Sequence, residues 1–415
     1  MRTRKVCIIG GGVTGLCAAY YAARRGYAVT VVQREPEGGD NCSMGNAGMI
    51  VPSHFVPLAA PGMISQGLRW MFNPESPFFV RPRLDPSLAR WGWLFYRHAN
   101  ARHVAASREL LRDLNLESRR LFVELEEEES FGLQRRGLLM LCKTAAALEE
   151  EAHLAKEANE IGVAAEVLDS PATAALDTAV TMDVAGSVYF PKDCHLAPEA
   201  FMASMRKRVL ALGVDIVPEV EIESFETRNG AIVSASGGGW TFEADEFVIA
   251  GGSWSSGLLA KLGRRLPLQA GKGYSLTLPE PPELPALCSI FTEAKVAITP
   301  MGSSLRFGGT MEVGGLDLSI DRKRVMGIVK SVSGYFPKFG LEDFDKVEPW
   351  AGLRPVSPDG IPYLGRLRGI PNAIVATGHA MMGLSLGPVT GRLVGDLLAG
   401  DMPFRPIDAM APGRF

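Results

Sequence analysis

The sequence predicts an α/β fold in which a Rossmann-like domain, built on a parallel sheet, is interleaved with an α+β domain built on an antiparallel sheet. Three observations carry this. The opening stretch RKVCIIGGGVTGLCAAYYAARRGYAVTVVQRE reads as strand, glycine turn, helix and strand. Two further apolar strands, 247–250 and 373–376, also run into glycines, far down the chain. Residues 263–345 are mostly strand and turn patterns, with one helix near 321–334. At 415 residues the chain exceeds one small domain, and 47% apolar residues suffice for sizeable cores.

In the opening unit, residues 6–9 are a short apolar run of the kind a buried strand shows. Gly10, Gly12 and Gly15 follow in GxGxxG spacing, and Val13 and Thr14 lead into a helix to Arg25. Gly26 ends that helix, and 28–32 is a second strand. Glycines held between strand and helix of a βαβ unit meet the context that a dinucleotide fingerprint requires. Gly10 permits the tight turn, Gly12 lets backbone approach a pyrophosphate, and Gly15 lets helix and strand pack closely. The helix N-terminus offers free N–H groups to the phosphates. Outside this context the same spacing is an ordinary glycine turn. One position departs from the pattern: Gln33 closes the second strand where an acid usually meets the ribose hydroxyls. Glutamine still accepts a hydrogen bond, without charge. Gln33 followed by Arg34 would also suit the 2′-phosphate of NADP.

Bulk properties exclude several classes. Net charge is −3, from 43 basic and 46 acidic residues, and hints at no nucleic-acid partner. The six cysteines form no CxxC pair, so neither zinc nor a disulfide framework is signalled. No apolar run reaches the roughly eighteen residues of a spanning helix. The start MRTRK mimics a signal peptide, but cleavage there would destroy the fingerprint.

Along the chain, PEGGDNCSMGNAGMIVPS reads as a loop, with Ser43, Asn46 and Gly48 suited to lie against a flat ligand or simply forming surface. Residues 57–98 mix prolines, aromatics and arginines. They read as the wall of the second domain, against the alternative of a segment lying on a membrane surface, which usually shows a cleaner apolar face. Residues 102–129 are a helix, 137–142 a strand and 144–162 a charged surface helix. The stretch from Gly186 gives strand, loop, a helix over 198–212 and a short strand. Asp193 and His195 lie in that loop; two ligands without a third are a weak metal signal, and no metal is expected. A hairpin pattern spans 230–243, and the strand 247–250 ends in Gly251, Gly252 and Trp254. The chain closes with WAGLRPVSPDG, the strand 373–376, a glycine loop 378–383 and a helix to about Ala399.

Three glycine loops at strand ends, spread from one end of the chain to the other, suggest a long buried prosthetic group, which favours FAD over a nicotinamide cofactor. A helix beginning near Met382–Gly383 would aim its positive end at the flavin N1–C2=O edge. Arginine is the natural clamp for a carboxylate. Arg354, held before Pro355 ahead of the last loop, is the clamp, unless it is committed to a nearby acid such as Asp359.

The motifs CIIGGGVTG, SMGNAGMIVP, AAPGMISQGLRWMF, GKGYSLTL, WAGLRPVSPDG and ATGHAMMGLSLGPVTGRL span nearly the whole chain. In combination they resemble the FAD-dependent D-amino-acid oxidase superfamily, most of all its bacterial D-amino-acid dehydrogenase and D-hydroxyproline dehydrogenase branch. The resemblance implies an FAD domain from residues 1–56, 183–262 and 346–415, and a substrate domain from 57–182 and 263–345. It implies non-covalent FAD contacted by Gly10, Gly12, Val13, Thr14, Gly15, Gln33, Arg34, Ser43, Asn46, Ala47, Gly48, Val220, Gly251, Trp254, Gly378, His379, Gly383, Leu384 and Ser385. Arg354 would clamp the substrate carboxylate, and Met49 and His54 would line the pocket. The glycine-oxidase branch carries a substrate tyrosine where this chain has Ala297, so Tyr274 is the substitute. No cysteine follows Cys288, against covalent flavin attachment.

The expected activity is oxidation of a D-amino or cyclic D-imino acid, of D-proline or D-hydroxyproline type, by hydride transfer from Cα to flavin N5, mostly through orientation. The alternatives are a glycine- or sarcosine-type oxidase using oxygen, an NADP-dependent reductase, and a non-catalytic dinucleotide-binding protein. A dehydrogenase would hand its electrons to a quinone or carrier. The expected setting is the cytoplasm, or the inner face of the membrane if residues 57–98 touch it.

Overall fold

A computed structural model describes residues 3–39, 41–71 and 73–415. Five parallel strands stand side by side in the order Ile370–Thr377, Glu246–Ile249, Lys5–Ile9, Ala28–Val32 and Asp215–Val217. Tyr363–Leu367 adds an antiparallel edge beside Ile370–Thr377. These strands read as continuous apolar runs because both faces are covered. Alternate residues divide between the faces. Val6, Ile8, Val31, Val248 and Ile374 pack with the helices Val13–Arg24, Pro198–Ala211 and Gly387–Ala399. Cys7, Ile9, Val32, Phe247 and Ile249 pack on the other side with Ile232 and Ala235 of a small three-stranded sheet.

The second sheet has nine strands, mostly antiparallel. Trp350–Val356, Gln269–Leu278, Ser304–Val313, Val296–Met301 and Cys288–Phe291 form one half, and Leu138–Cys142, Gly186–Phe190 and Glu166–Asp169 continue it. The helix Arg322–Tyr335 buries Val325, Ile328, Val329 and Val332 against it.

Two strands lie on the other side of the expected segment boundaries. Gly186–Phe190, placed with 183–262, pairs with Leu138–Cys142, and Trp350–Val356, placed with 346–415, pairs with Gln269–Leu278. An apolar alternation marks a strand but does not name its partner.

Residues 57–98 pack as a wall. Phe78–Val80 joins the second sheet beside Met311–Val313. The helix Pro86–His98, capped by Asp85, buries Trp91, whose indole N–H donates to the Val356 carbonyl at 2.9 Å. Leu84, Trp93 and Tyr96 remain exposed. The closing helix also differs from expectation. One 3-10 turn, Ala380–Met382, follows the glycine loop, and the α-helix begins only at Gly387. Pro388, whose fixed φ suits a first helical turn, sets that start.

Candidate active site

A cavity of about 560 Å³ opens between the C-terminal ends of the parallel strands and the antiparallel sheet. This is the crevice where open α/β sheets bind ligands, and the volume is that of a small-molecule site. Gly10 has φ +119°, and a Cβ on it would stand 2.4 Å from the Ala250 carbonyl oxygen. The first and second glycine loops therefore meet, and only glycine fits between them. Gly10, Gly12, Val13 and Thr14 line the cavity, as do Gly251 and Trp254. Gly15 lies behind them, where a Cβ would stand 1.8 Å from the Gly10 carbonyl oxygen, in its expected packing place.

The loop after the second strand lies across the middle of the cavity through Ser43, Asn46 and Ala47. Ser43 Oγ accepts the Val13 N–H at 3.0 Å. Two residues that sequence reasoning missed hold this loop on the second sheet. Thr299 donates to the Ala47 carbonyl at 2.5 Å. Arg306 donates to the Met44 and Asn46 carbonyls at 2.9 and 3.0 Å, and its other end is ion-paired with Glu199. Both residues lie on strands adjacent in the sheet, a register that sequence spacing does not reveal.

Arg354 reaches into the cavity from Trp350–Val356. Its guanidinium lies over Gly273, and Nη1 donates to the Thr310 carbonyl at 2.6 Å. Burial pushes its pKa down, opposed by Cys42; an arginine remains charged regardless. Among the described residues no carboxylate pairs with it. Asp359, the alternative partner, is held instead by Arg414 at 2.7 Å. The cavity therefore presents a cation with open donors and no internal counter-ion among the described residues.

Residues 5–397 match the family model described as FAD dependent oxidoreductase, DAO. The chain belongs to this family. Among curated relatives, it is 33% identical to a D-amino acid dehydrogenase of Granulibacter bethesdensis over 96% of both chains. It is 34% identical to a D-amino acid dehydrogenase of Methylobacterium radiotolerans over 99% of both. Among solved structures it resembles glycine oxidase from Geobacillus kaustophilus, with TM-score 0.78 and 23% identity over all of both chains. It also resembles L-proline dehydrogenase from P. horikoshii, with TM-score 0.75 and 17% identity over 100% and 98%.

FAD is the cofactor of this family, and the cavity's residues fit it. The glycine cradle at Gly10 and Gly12 leaves no side chain in the way of a pyrophosphate. The first turn of Val13–Arg24 supplies N–H groups without helical acceptors. At the far end, Arg34 stacks over the Trp254 ring at 4.1 Å and pairs with Glu35 at 2.7 Å, beside Val220. Gln33 does not line the cavity. Its amide donates to the Glu35 and Pro36 carbonyls at 3.0 and 3.1 Å, outside the lining. Glu35, two residues on, does line the cavity, and the acid in QRE was its signal. With Gln33 turned away and Arg34 committed to Trp254 and Glu35, the NADP reading loses its support.

The placement of Tyr274 holds in part, and three other expectations are corrected. Tyr274 lines the cavity, but its hydroxyl is committed to Glu312 at 3.1 Å and to the Asp321 N–H at 3.2 Å, neither of which lines it. Gly48, with φ +74°, touches the Leu196 carbonyl rather than the cavity. Gly378, with φ +80°, makes the turn against Tyr363 but does not line. Ser385 braces the interior: it accepts the Val51 N–H at 3.1 Å and donates to Asn115 at 3.0 Å. His379, Gly383 and Leu384 do line the cavity. His379 is bonded to Thr390 at 2.9 Å, and burial pushes its pKa down to about 4. Met49 and His54 line it too, with Phe78, Met140, Ala297 and Met311. Among the described residues no three His, Cys, Asp or Glu side chains gather as metal ligands, and no helix is long and apolar enough to cross a membrane.

Proposed function

We propose that the chain oxidises a D-amino or cyclic D-imino acid, of D-proline or D-hydroxyproline type, to the imine. The observation that carries this reading is Arg354, a cation with open donors in a cavity whose lining includes Met49, Phe78, Met140 and Met311. Its planar fork would hold the carboxylate of an amino acid through two parallel bonds. The methionine and phenylalanine walls suit a compact apolar ring better than a charged side chain. FAD in the cavity supplies the hydride acceptor. The protein's part is then to orient the substrate so that Cα faces that acceptor. The naming of full-length relatives as D-amino acid dehydrogenases supports both the D configuration and an acceptor of quinone or carrier type. We propose the exposed Trp93 and Tyr96 of the helix Pro86–His98 as that acceptor's contact.

The test is an anaerobic absorbance spectrum of the purified flavoprotein before and after D-proline, cis-4-hydroxy-D-proline, D-alanine and their L-forms. Bleaching by a D-imino acid alone is the expected result. Bleaching by none sinks the substrate assignment. Rapid return of colour in air would favour the glycine- or sarcosine-type oxidase.

A further inference from the structure

His54 stands at the end of a hydrogen-bonded chain that begins at a buried carboxylate. Asp193 is wholly buried. It accepts the Ser53 N–H at 3.1 Å and the Ser53 hydroxyl at 2.5 Å. The same Ser53 oxygen lies 3.0 Å from His54 Nδ1. With Asp193 ionised, Ser53 must spend its one proton on the carboxylate, so its oxygen accepts from Nδ1–H and His54 Nε2 carries the lone pair. No hydrogen bond engages Nε2 among the described residues, and His54 lines the cavity.

This imidazole and Arg354 line the same cavity. Lys295 acts on it from the end of the strand that carries Ala297, whose register partner is Gly308. Arg354 is anchored on the Thr310 carbonyl, two residues further along that partner strand, roughly 7 Å. The relay requires a substrate held at Arg354 by its carboxylate to carry its nitrogen toward His54.

The surroundings decide where a proton can rest. Burial, reinforced by Lys295, pushes His54 down to about 4, so an imidazolium is disfavoured. Burial pushes Asp193 up to about 7, against the opposing Ser53 hydrogen bonds and Arg119. The ring transmits a proton poorly held on itself, and the carboxylate can keep it.

We propose that His54, Ser53 and Asp193 form a proton relay that deprotonates the substrate's ammonium group, resting on the amino-acid reading above. The ammonium N–H bond breaks and its proton joins His54 Nε2. The Nδ1 proton passes to Ser53 Oγ, and the Ser53 hydroxyl proton passes to Asp193. The products are a neutral amine, a neutral His54 in its other tautomer, an unchanged serine and a protonated Asp193. No electrons are exchanged in the relay. The freed nitrogen lone pair is what a Cα–N double bond requires as Cα–H leaves with its electrons. The relay reverses, returning the proton to water, once the imine has left.

The test compares the holoenzyme with Ser53→Ala, Ser53→Thr and His54→Gln, following the rate of anaerobic flavin bleaching from pH 6 to pH 10. Ser53→Ala and His54→Gln are expected to slow bleaching about 10²-fold at pH 7, within the usual range for lost base catalysis. Their deficit should shrink to under about threefold near pH 10, where the free amine predominates without help. Ser53→Thr keeps the hydroxyl and should follow the wild type, and KM should change little in all three. A pH-independent deficit, or Ser53→Ala and His54→Gln both matching the wild type at pH 7, overturns the relay alone. A wild type that no D-amino or D-imino acid bleaches overturns the relay together with the functional reading.

Discussion

A methyl group on Gly273 tests whether the position of Arg354 matters as the cavity suggests. A Cβ there would stand 2.1 Å from Arg354 Nη1 and 2.2 Å from Nη2. Ordinary contact is about 3.5 Å, so the guanidinium must move by more than about 1 Å. The backbone accepts alanine, since Gly273 is not among the residues with positive φ. The clash falls on the far end of a flexible side chain, so the cost to stability stays below about 1 kcal/mol. The loss is in orientation: a displacement of about 1 Å near a reacting centre costs roughly 10²-fold, or about 2.7 kcal/mol. Gly273→Ala should therefore retain FAD and a near-normal Tm, while kcat/KM for the bleaching substrate falls about 10²-fold. Arg354→Leu, losing two charged hydrogen bonds of about 1.5–3 kcal/mol each, should fall further, by about 10²–10⁴. Stopped-flow flavin reduction and a benzoate titration of the flavin spectrum read the two effects. A Gly273→Ala enzyme within threefold of the wild type, or one that loses FAD, would refute the reasoning.

Two further outcomes follow from the same geometry. Asp193 has a folded pKa of about 7 against an ordinary 3.8, so the folded state binds more protons between these values. Its contribution to stability is full below about pH 4 and is lost as pH rises to about 7, an upper bound of about 4 kcal/mol. The wild-type Tm should drop more between pH 5 and 8 than that of Asp193→Asn, and parallel curves would contradict this. Glu35→Gln should weaken FAD binding about tenfold, since a charged acceptor is replaced by a neutral one, with kcat unchanged. A tenfold loss from Gln33→Ala with none from Glu35→Gln would argue that Gln33, not Glu35, meets the ribose; fluorescence of released FAD measures both.

Local patterns in the chain determined the parallel sheet, the glycine fingerprint, the long helix Ala101–Glu128 and the identity of Arg354. Strand, helix and turn are written in short-range periodicity, and a Gly–Leu–Arg–Pro stretch before a glycine loop is visible without any partner. Contacts between distant segments were not legible. Nothing in the spacing of Arg306 and Thr299 shows that adjacent strands place both under the Ser43–Ala47 loop. Side-chain direction was equally hidden. Gln33 turns back to its own loop and the Tyr274 hydroxyl turns to Glu312, while Glu35 lines the cavity. His54 and Asp193 read separately as a pocket-lining residue and half of a weak metal pair. Only the folded chain, which carries residue 193 to residue 53, joins them through one serine hydroxyl. Periodicity is a property of neighbours in sequence, whereas a site is a property of neighbours in space, and packing decides which residues those are.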